Sequence, residues 1–199
     1  MGTRKKDAEI STPGRPRNAD TERRIVQIAL ERLAEEGYSR MSLDDIALRA
    51  GVSKPTIYRR WKGKADLATA AIRTLQIAEP PVATGSPRED LVGILRNFRR
   101  SLLRPNGFAL IGTVLAEEAH TPELLRFFRQ RIVAPRRRML RVVLERAAAS
   151  GQLRRGVDPR TAAALLIGAF YARYLAGPRI PARFPEDVVR LVWDGIARG

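Results

Sequence analysis

Apolar residues recur at intervals of three and four along most of this chain, which is the spacing that places them on one face of an α-helix. In the first part of the chain the pattern predicts four helices, three of which open on Asp or Ser, good N-caps. Ser42 and Asp45 resemble a capping box in which Asp replaces Glu. The four predicted helices cover about residues 20–37, 42–51, 53–62 and 64–78.

The rest of the chain follows the same periodicity. Thr121-Pro122 and Asp158-Pro159 each place a proline in a first helical turn, where its missing N–H leaves no helical bond unmade. Pro135 falls inside a long helical pattern and should kink or split that helix. The predicted segments cover residues 88–103, 107–119, 122–150, 159–176 and 186–197.

We therefore predict an all-α chain in two parts, because no segment shows the alternating pattern of a β-strand. Residues 1–19 lack apolar periodicity and are expected to form a flexible basic arm. Residues 20–78 form a first helical domain. Residues 79–199 form a larger helical bundle after a linker that contains Pro and Gly.

The composition argues against several kinds of site. The 199 residues include no cysteine and one histidine, so no zinc site or other metal site is expected and no cofactor is predicted. The longest strongly apolar uncharged run, residues 161–172, is much shorter than the roughly 20 residues that span a bilayer. The N-terminus also lacks an apolar signal segment, so we expect a cytoplasmic protein with no membrane partner.

The net charge of +16 favours a polyanionic partner such as DNA, RNA or an anionic membrane surface, although charge alone does not choose among them. Every basic residue after Lys64 is arginine, apart from His120. These arginines either serve an anionic effector, if several point inward, or are scattered over solvated helix faces.

Residues 51–64, GVSKPTIYRRWKGK, place aromatic and basic side chains together at a predicted helix start. Two short helices joined by AGVS form a helix-turn-helix pattern, in which the first residues of the second helix face the major groove of DNA. Ile57 and Trp61 share the inward side of that helix, which favours packing over DNA contact for Trp61. Tyr58, followed by two arginines, is expected to face outward.

This region resembles the DNA-binding domain of the tetracycline-repressor-like (TetR) family of transcriptional regulators. The resemblance covers about residues 20–70, and the all-α remainder fits the ligand-binding and dimerisation domain of that family as architecture. The residues that carry the resemblance are Gly37-Tyr38, Ser42, Ile46-Ala47, Ala50-Gly51-Val52-Ser53, Thr56, Tyr58, Lys64 and Leu67.

The resemblance implies contacts with double-stranded DNA. Ser42, Thr56 and Lys64 would contact phosphates, and Lys54 would contact a base edge. Arg59 is a candidate guanine reader, because arginine on guanine is the commonest specific pairing. The predicted DNA-binding residues are Arg15, Arg17, Ser42, Ser53, Lys54, Pro55, Thr56, Tyr58, Arg59, Arg60 and Lys64. The first two belong to a PGRPR segment that suits a minor-groove arm, the alternative being a solubilising tail.

The resemblance also implies that the last two long helices form a homodimer interface. Both predicted helices carry apolar faces, although these faces would also suit packing inside one subunit. The predicted interface residues are Leu165, Leu166, Ala169, Phe170, Val188, Val192 and Ile196.

The middle helices would then enclose a pocket for a small-molecule effector. Large apolar side chains at helical spacing are candidates to line it, although such residues more often form a core. The candidates are Phe98, Leu102, Phe108, Leu115, Leu125, Phe128 and Tyr171.

The expected function is that of a sequence-specific, ligand-responsive repressor that binds a palindromic operator as a homodimer. The alternative from another class is an architectural or nonspecific nucleic-acid binder, which the net charge alone would permit. An enzyme is not expected, since the sequence has no Gly-rich phosphate loop, no Gly-x-Ser-x-Gly motif and a single histidine as a general base.

Overall fold

The computed structural model describes residues 17–75, 83–105, 107–177 and 179–198. Within these ranges the chain is all-α, as the apolar periodicity predicts, with ten helices and one π-helical turn. The helices are α1 (Arg17–Arg40), α2 (Leu43–Ala50), α3 (Lys54–Tyr58), α4 (Lys64–Arg73), α5 (Pro87–Leu102), α6 (Gly107–Ala116), α7 (Pro122–Phe128), α8 (Ala134–Ala149), α9 (Pro159–Ala176) and α10 (Phe184–Ile196).

Several helix ends follow the local signals in the sequence. At the start of α2 the Asp44 N–H donates to Ser42 Oγ at 3.2 Å. The same helix ends at Gly51, whose φ of 61° is the left-handed conformation that glycine adopts without strain. Asp158 caps α9, because its side chain accepts hydrogen bonds from two backbone N–H groups, both at 3.1 Å. These predicted caps are confirmed.

The first helix differs from the prediction at both ends. It begins at Arg17 rather than at Asp20, and it continues past Gly37 to Arg40. Gly37 has a φ of 82° and a ψ of 166°, so the helical geometry is interrupted there. The Met41 N–H still bonds the Gly37 carbonyl at 3.1 Å. The glycine therefore produces a kink, and the chain makes one further helical turn after it.

Two other local predictions are wrong within the described residues. Asp45 does not complete a capping box with Ser42; its carboxylate instead lies 3.1 Å from Arg32 Nε and 2.9 Å from Arg49 Nε. The Arg32 pair joins α2 to α1 and the Arg49 pair lies within α2, and together they hold the carboxylate away from the helix start. The fourth helix ends at Arg73, short of the predicted end near residue 78, a position outside the described residues.

The expected break at Pro135 is confirmed. The chain forms α7, then one π-helical turn over Arg129–Val133, and then α8, whose second residue is Pro135. Proline has no N–H to donate to the carbonyl four residues earlier, and the wider turn in front of it accommodates that missing bond. The long predicted helix is therefore divided into two.

The buried side chains form two cores. The first contains α1 to α4, together with α6 and α7, which enter it through Leu110, Val114 and Leu124. The second contains α5, α8, α9 and α10, with Leu166 and Phe170 at its centre. By packing, α6 and α7 therefore belong with the N-terminal domain, although they follow the linker near residue 79 in sequence. A movement of α6 acts directly on the core that holds the helix-turn-helix.

Candidate nucleic-acid interface and ligand cavity

The α2–α3 pair has the geometry of a helix-turn-helix. Gly51 turns the chain, and the Val52 N–H bonds the Ala47 carbonyl at 3.0 Å, which fixes the start of α3. Ile57 is fully buried beneath α3, and Trp61, just beyond it, is also buried, as the periodicity predicts. The opposite side of α3 remains open to solvent, so its first residues are free to enter a groove.

The exposed side of this helix start carries most of the predicted DNA-binding residues. Ser53, Lys54, Pro55, Tyr58 and Arg59 are all exposed, with Tyr58 at 50%. Their exposure agrees with a role in binding, and their contacts with DNA stay predictions.

The Lys54 ammonium is held by a carboxylate on the preceding helix. Its Nζ lies 2.8 Å from one Asp44 oxygen and 3.1 Å from the other. The hydrogen bond to Asp44 raises the pKa of Lys54, because it stabilises the charged ammonium. Because both groups are solvent-exposed, this ion pair is weak and leaves the cation free to exchange Asp44 for another anion.

Hydroxyl groups near the start of α3 bond within the motif. Ser53 Oγ and Thr56 Oγ1 are 2.9 Å apart, and Ser53 caps no backbone N–H of α3, contrary to the sequence prediction. Arg60 donates to the Thr56 carbonyl at 2.9 Å, which holds this arginine along its own helix. Ser42, the other predicted phosphate contact, serves as the N-cap of α2.

Lys64 lies partly inside the domain. Its Nζ donates to the Ser39 carbonyl at 2.8 Å and lies 4.7 Å from the centre of the Tyr38 ring. Burial lowers the pKa of Lys64, while the negative charge of Glu117 opposes that shift. The predicted phosphate-binding lysine therefore also ties the start of α4 to the end of α1.

The proposed minor-groove arm falls mostly outside the structure. Arg15 lies outside the described residues, and Arg17 is the first residue of α1, with no described side chain. The arm stays a prediction.

Glu117, directly after α6, bonds the end of that helix to the end of α1. Its side chain is buried, and Ser39 Oγ donates to Oε1 at 2.8 Å, while Thr121 Oγ1 lies 3.3 Å from Oε2. Ser39 is the residue whose carbonyl holds Lys64. Sequence reasoning missed Glu117, because its neighbour Glu118 shares its chemistry and only packing makes one buried and the other exposed.

A small cavity lies between α5, α6 and the junction of α7 with α8. Its volume is about 20 Å³, roughly the space of one water molecule. A Cβ at Gly107 would lie 2.5 Å from the Leu102 carbonyl oxygen, so only glycine allows α6 to start this close to α5. The lining residues are Leu75, Ser101, Leu102, Arg104, Gly107, Leu110, Ile111, Phe128, Ile132 and Arg136.

The structure divides the predicted pocket residues into three groups. Leu102 and Phe128 line the cavity. Phe98, Phe108 and Tyr171 form an aromatic cluster, with Tyr171 6.2 Å from Phe98 and 6.3 Å from Phe108 between ring centroids.

The third group lies outside the cavity described above. Leu125 is buried in the N-terminal core, because α7 packs its apolar face against that domain. Leu115 is 53% exposed and belongs to neither core, so its role in a pocket stays a prediction.

Arg136, in the first turn of α8, was also missed. It lines the cavity, and its guanidinium lies 5.4 Å from the centre of the Phe98 ring. Nothing in the sequence separates it from Arg137 and Arg138, which follow it in an unbroken run.

The predicted dimer residues are also divided by the fold. Leu166 and Phe170 are fully buried in the second core, and Val188 is buried beside them. They cannot offer surface to a second chain, so assigning them to the interface is wrong. Ala169, Val192 and Ile196 are half-buried. The exposed leucines of these two helices are Leu165 (57%), Leu175 (84%) and Leu191 (65%).

Among the described residues, no group of three or more His, Cys, Asp or Glu side chains is placed to bind a metal ion. No helix in the same ranges is long and apolar enough to cross a membrane.

An exposed, cationic helix start on a helix-turn-helix, joined to a helical bundle with a small cavity, defines a DNA-binding transcriptional regulator. The chain belongs to the TetR family. Residues 25–71 match the model of bacterial regulatory proteins of the tetR family, and residues 81–192 match the model of the tetracyclin repressor-like C-terminal domain.

Known proteins of the same class are similar over nearly the whole chain. The HTH-type transcriptional regulator YdeS of Bacillus subtilis is 31% identical over 191 residues, 94% of each chain. A TetR-family regulator of Mesorhizobium loti superposes with a TM-score of 0.70 at 19% identity, covering 92% of this chain and 100% of its own. The flavonoid-responsive regulator FrrA gives a TM-score of 0.68 at 23% identity, covering 90% and 98%.

Proposed function

We propose that this regulator is a homodimeric, ligand-responsive repressor that binds a palindromic operator and releases it when a small molecule enters the cavity beside α6. The position of α6 carries the proposal. Its first turns line the cavity through Gly107, Leu110 and Ile111, and Glu117, the residue that follows it, bonds Ser39 next to Lys64. A shift of α6 thus reaches the DNA-binding domain through a single rigid helix.

The exposed residues of α3 are proposed to read the operator. Lys54 is placed to contact a base edge, with Tyr58 and Arg59 beside it. Thr56 and Lys64 are proposed to bind phosphates, which position the helix without reading sequence.

Dimerisation is supported by the unequal burial of α9. This helix is apolar around its circumference, with two charged residues in 18, and helices of that kind are normally buried on all sides. Only one side is covered within the subunit, where Leu166 lies. We propose that Leu165, Leu175 and Leu191 pack against the same helices of a second copy and hold two reading helices one DNA turn apart.

The switch follows from conformational selection. A cavity of about 20 Å³ is too small for an organic effector, so a ligand would bind a conformer in which α6 has moved away from α5. The ligand shifts the population only by its difference in affinity between the two conformers. The response of FrrA to flavonoids is a precedent for such control on this fold.

The testing experiment is selection of bound sequences from a random duplex DNA pool at about 0.15 M salt, where nonspecific phosphate binding is already weakened. We expect enrichment of an inverted repeat. Lys54→Ala should lose discrimination at one or two positions of each half-site, by about 1–3 kcal/mol. A pool without any enriched motif, from folded protein, would instead support an architectural nucleic-acid binder.

A further inference from the structure

Arg136 is a partly buried cation without an anionic partner among the residues that the structure describes. Its side chain is half-buried, and the Nε atom is closed to solvent and makes no hydrogen bond within the described residues. Burial lowers the pKa of Arg136 and nearby Arg104 lowers it further, whereas Tyr171 opposes both effects. A desolvated charge in such surroundings is costly unless something compensates it.

The other arginines with a buried, unbonded Nε differ in one respect. Arg32 Nε has the Asp45 carboxylate at 3.1 Å, and Arg141 Nε has the Glu145 carboxylate at 3.2 Å. Arg136 has no carboxylate partner in the described part of the chain, and its closest recorded contact is the Phe98 ring. Neighbouring carboxylates therefore balance the charges of Arg32 and Arg141, whereas the guanidinium of Arg136 remains available to bind an anion.

The surroundings of Arg136 select a kind of ligand. The cavity combines two cations, Arg136 and Arg104, with apolar walls formed by residues such as Leu102, Phe128 and Ile132. The described lining contains no acidic side chain. A guanidinium binds a carboxylate through two parallel hydrogen bonds, and the apolar walls suit a hydrocarbon or aromatic body.

We propose that the effector is an organic carboxylate with an apolar body, bound through its carboxylate by Arg136. The inference rests on the proposed ligand response and names the chemical class of ligand. An anion at this point would remove the cost of the unpaired cation, so binding favours the conformer in which the cavity is open. Since Gly107 and Ile111 of α6 line the same cavity, that opening displaces the helix that ends beside Glu117.

The test uses the full chain without DNA, by thermal unfolding and calorimetric titration at constant ionic strength. The probes are acetate, hexanoate, benzoate and 4-phenylbutyrate, with hexanamide and 4-phenylbutyramide as neutral matches. We expect the Kd to fall as the apolar body grows, and each bound carboxylate to raise the Tm by about 3–6 °C at a concentration about ten times its Kd. The amides should bind at least about tenfold more weakly, because they leave the guanidinium unpaired.

Arg136→Gln should abolish the preference for acid over amide while leaving the Tm of the unliganded protein unchanged or higher, since it removes an unpaired buried charge. Arg137→Gln is the matched control, because it removes the neighbouring charge from a separate surface cleft shared with Arg138 and Arg160. It should leave binding intact.

The proposal is overturned if no carboxylate in the series stabilises the protein, if acids and amides bind equally, or if Arg137→Gln rather than Arg136→Gln removes binding. These outcomes are independent of the operator. An enriched inverted repeat together with failed carboxylate binding would refute the ligand class alone. Carboxylate binding by a protein that selects no DNA motif would refute the repressor alone.

Discussion

The helix-turn-helix region (α2 to α4) and the bundle (α5 and α8 to α10) differ in how much apolar surface and unpaired charge a single subunit leaves exposed. In the first region the large apolar side chains are buried or partly buried, apart from Leu48 and Tyr58, and the exposed Lys54 is paired with Asp44. In the bundle, leucines remain exposed on α9 and α10, and Arg136 lines the cavity without a carboxylate partner in the described ranges. Contacts within one subunit therefore cover most of the apolar surface of the first region. The second region keeps exposed leucines that a second chain could cover and a cation that a ligand could bind.

The largest expected effect on stability distinguishes two adjacent leucines of α9, Leu165 and Leu166. Leu166→Ala removes a fully buried side chain and should lower the free energy of unfolding by about 2–5 kcal/mol at every protein concentration. Leu165→Ala should have an effect that depends on protein concentration, because in the proposed dimer the exposed part of that side chain packs against the second copy. Urea denaturation over a wide concentration range separates the two, and equal, concentration-independent losses would contradict an interface at Leu165.

This pair also marks the limit of sequence reasoning. The ends of α2 and α9 were predictable, because Ser42, Gly51 and Asp158 act through local backbone geometry. A helix that is apolar all round has no periodic signal to tell an inward face from an outward one, so Leu166 was assigned to the wrong side. Only the packing of α9 against α8 and α10 decides that choice.

The candidate site shows the same division. The exposed side of α3 was predictable, since the turn and the buried Ile57 fix its orientation. Arg136 and Glu117 were not, because each has neighbours of the same type in sequence. Their burial depends on contacts between helices that are distant in the chain, and no local pattern encodes it.

A smaller effect is expected at the junction between the two regions. Glu117→Gln weakens the buried bond to Ser39 and should cost about 1 kcal/mol of stability. It should also reduce the loss of operator affinity that a ligand causes, by about fivefold or more if α6 carries the coupling. Glu118→Gln is the control, because Glu118 is exposed and pairs with Arg129 on the surface at 3.1 Å. If a ligand lowered operator affinity equally in both variants, α6 would not carry the coupling between the cavity and the DNA-binding domain.

The smallest expected effect is the loss of one phosphate contact at Lys64. It tests whether Lys64 binds the operator or only ties α4 to α1. Lys64→Ala should weaken binding to all DNA sequences alike and reduce the slope of log K against log salt by about one. Lys62→Ala removes an equal charge from an exposed position that has no bond to Ser39. A smaller change of slope in Lys62→Ala would assign the phosphate contact to Lys64. Equal slopes would mean that both lysines contribute only to the overall positive potential of the domain. Lys64 would then hold α4 against α1 without contacting an operator phosphate.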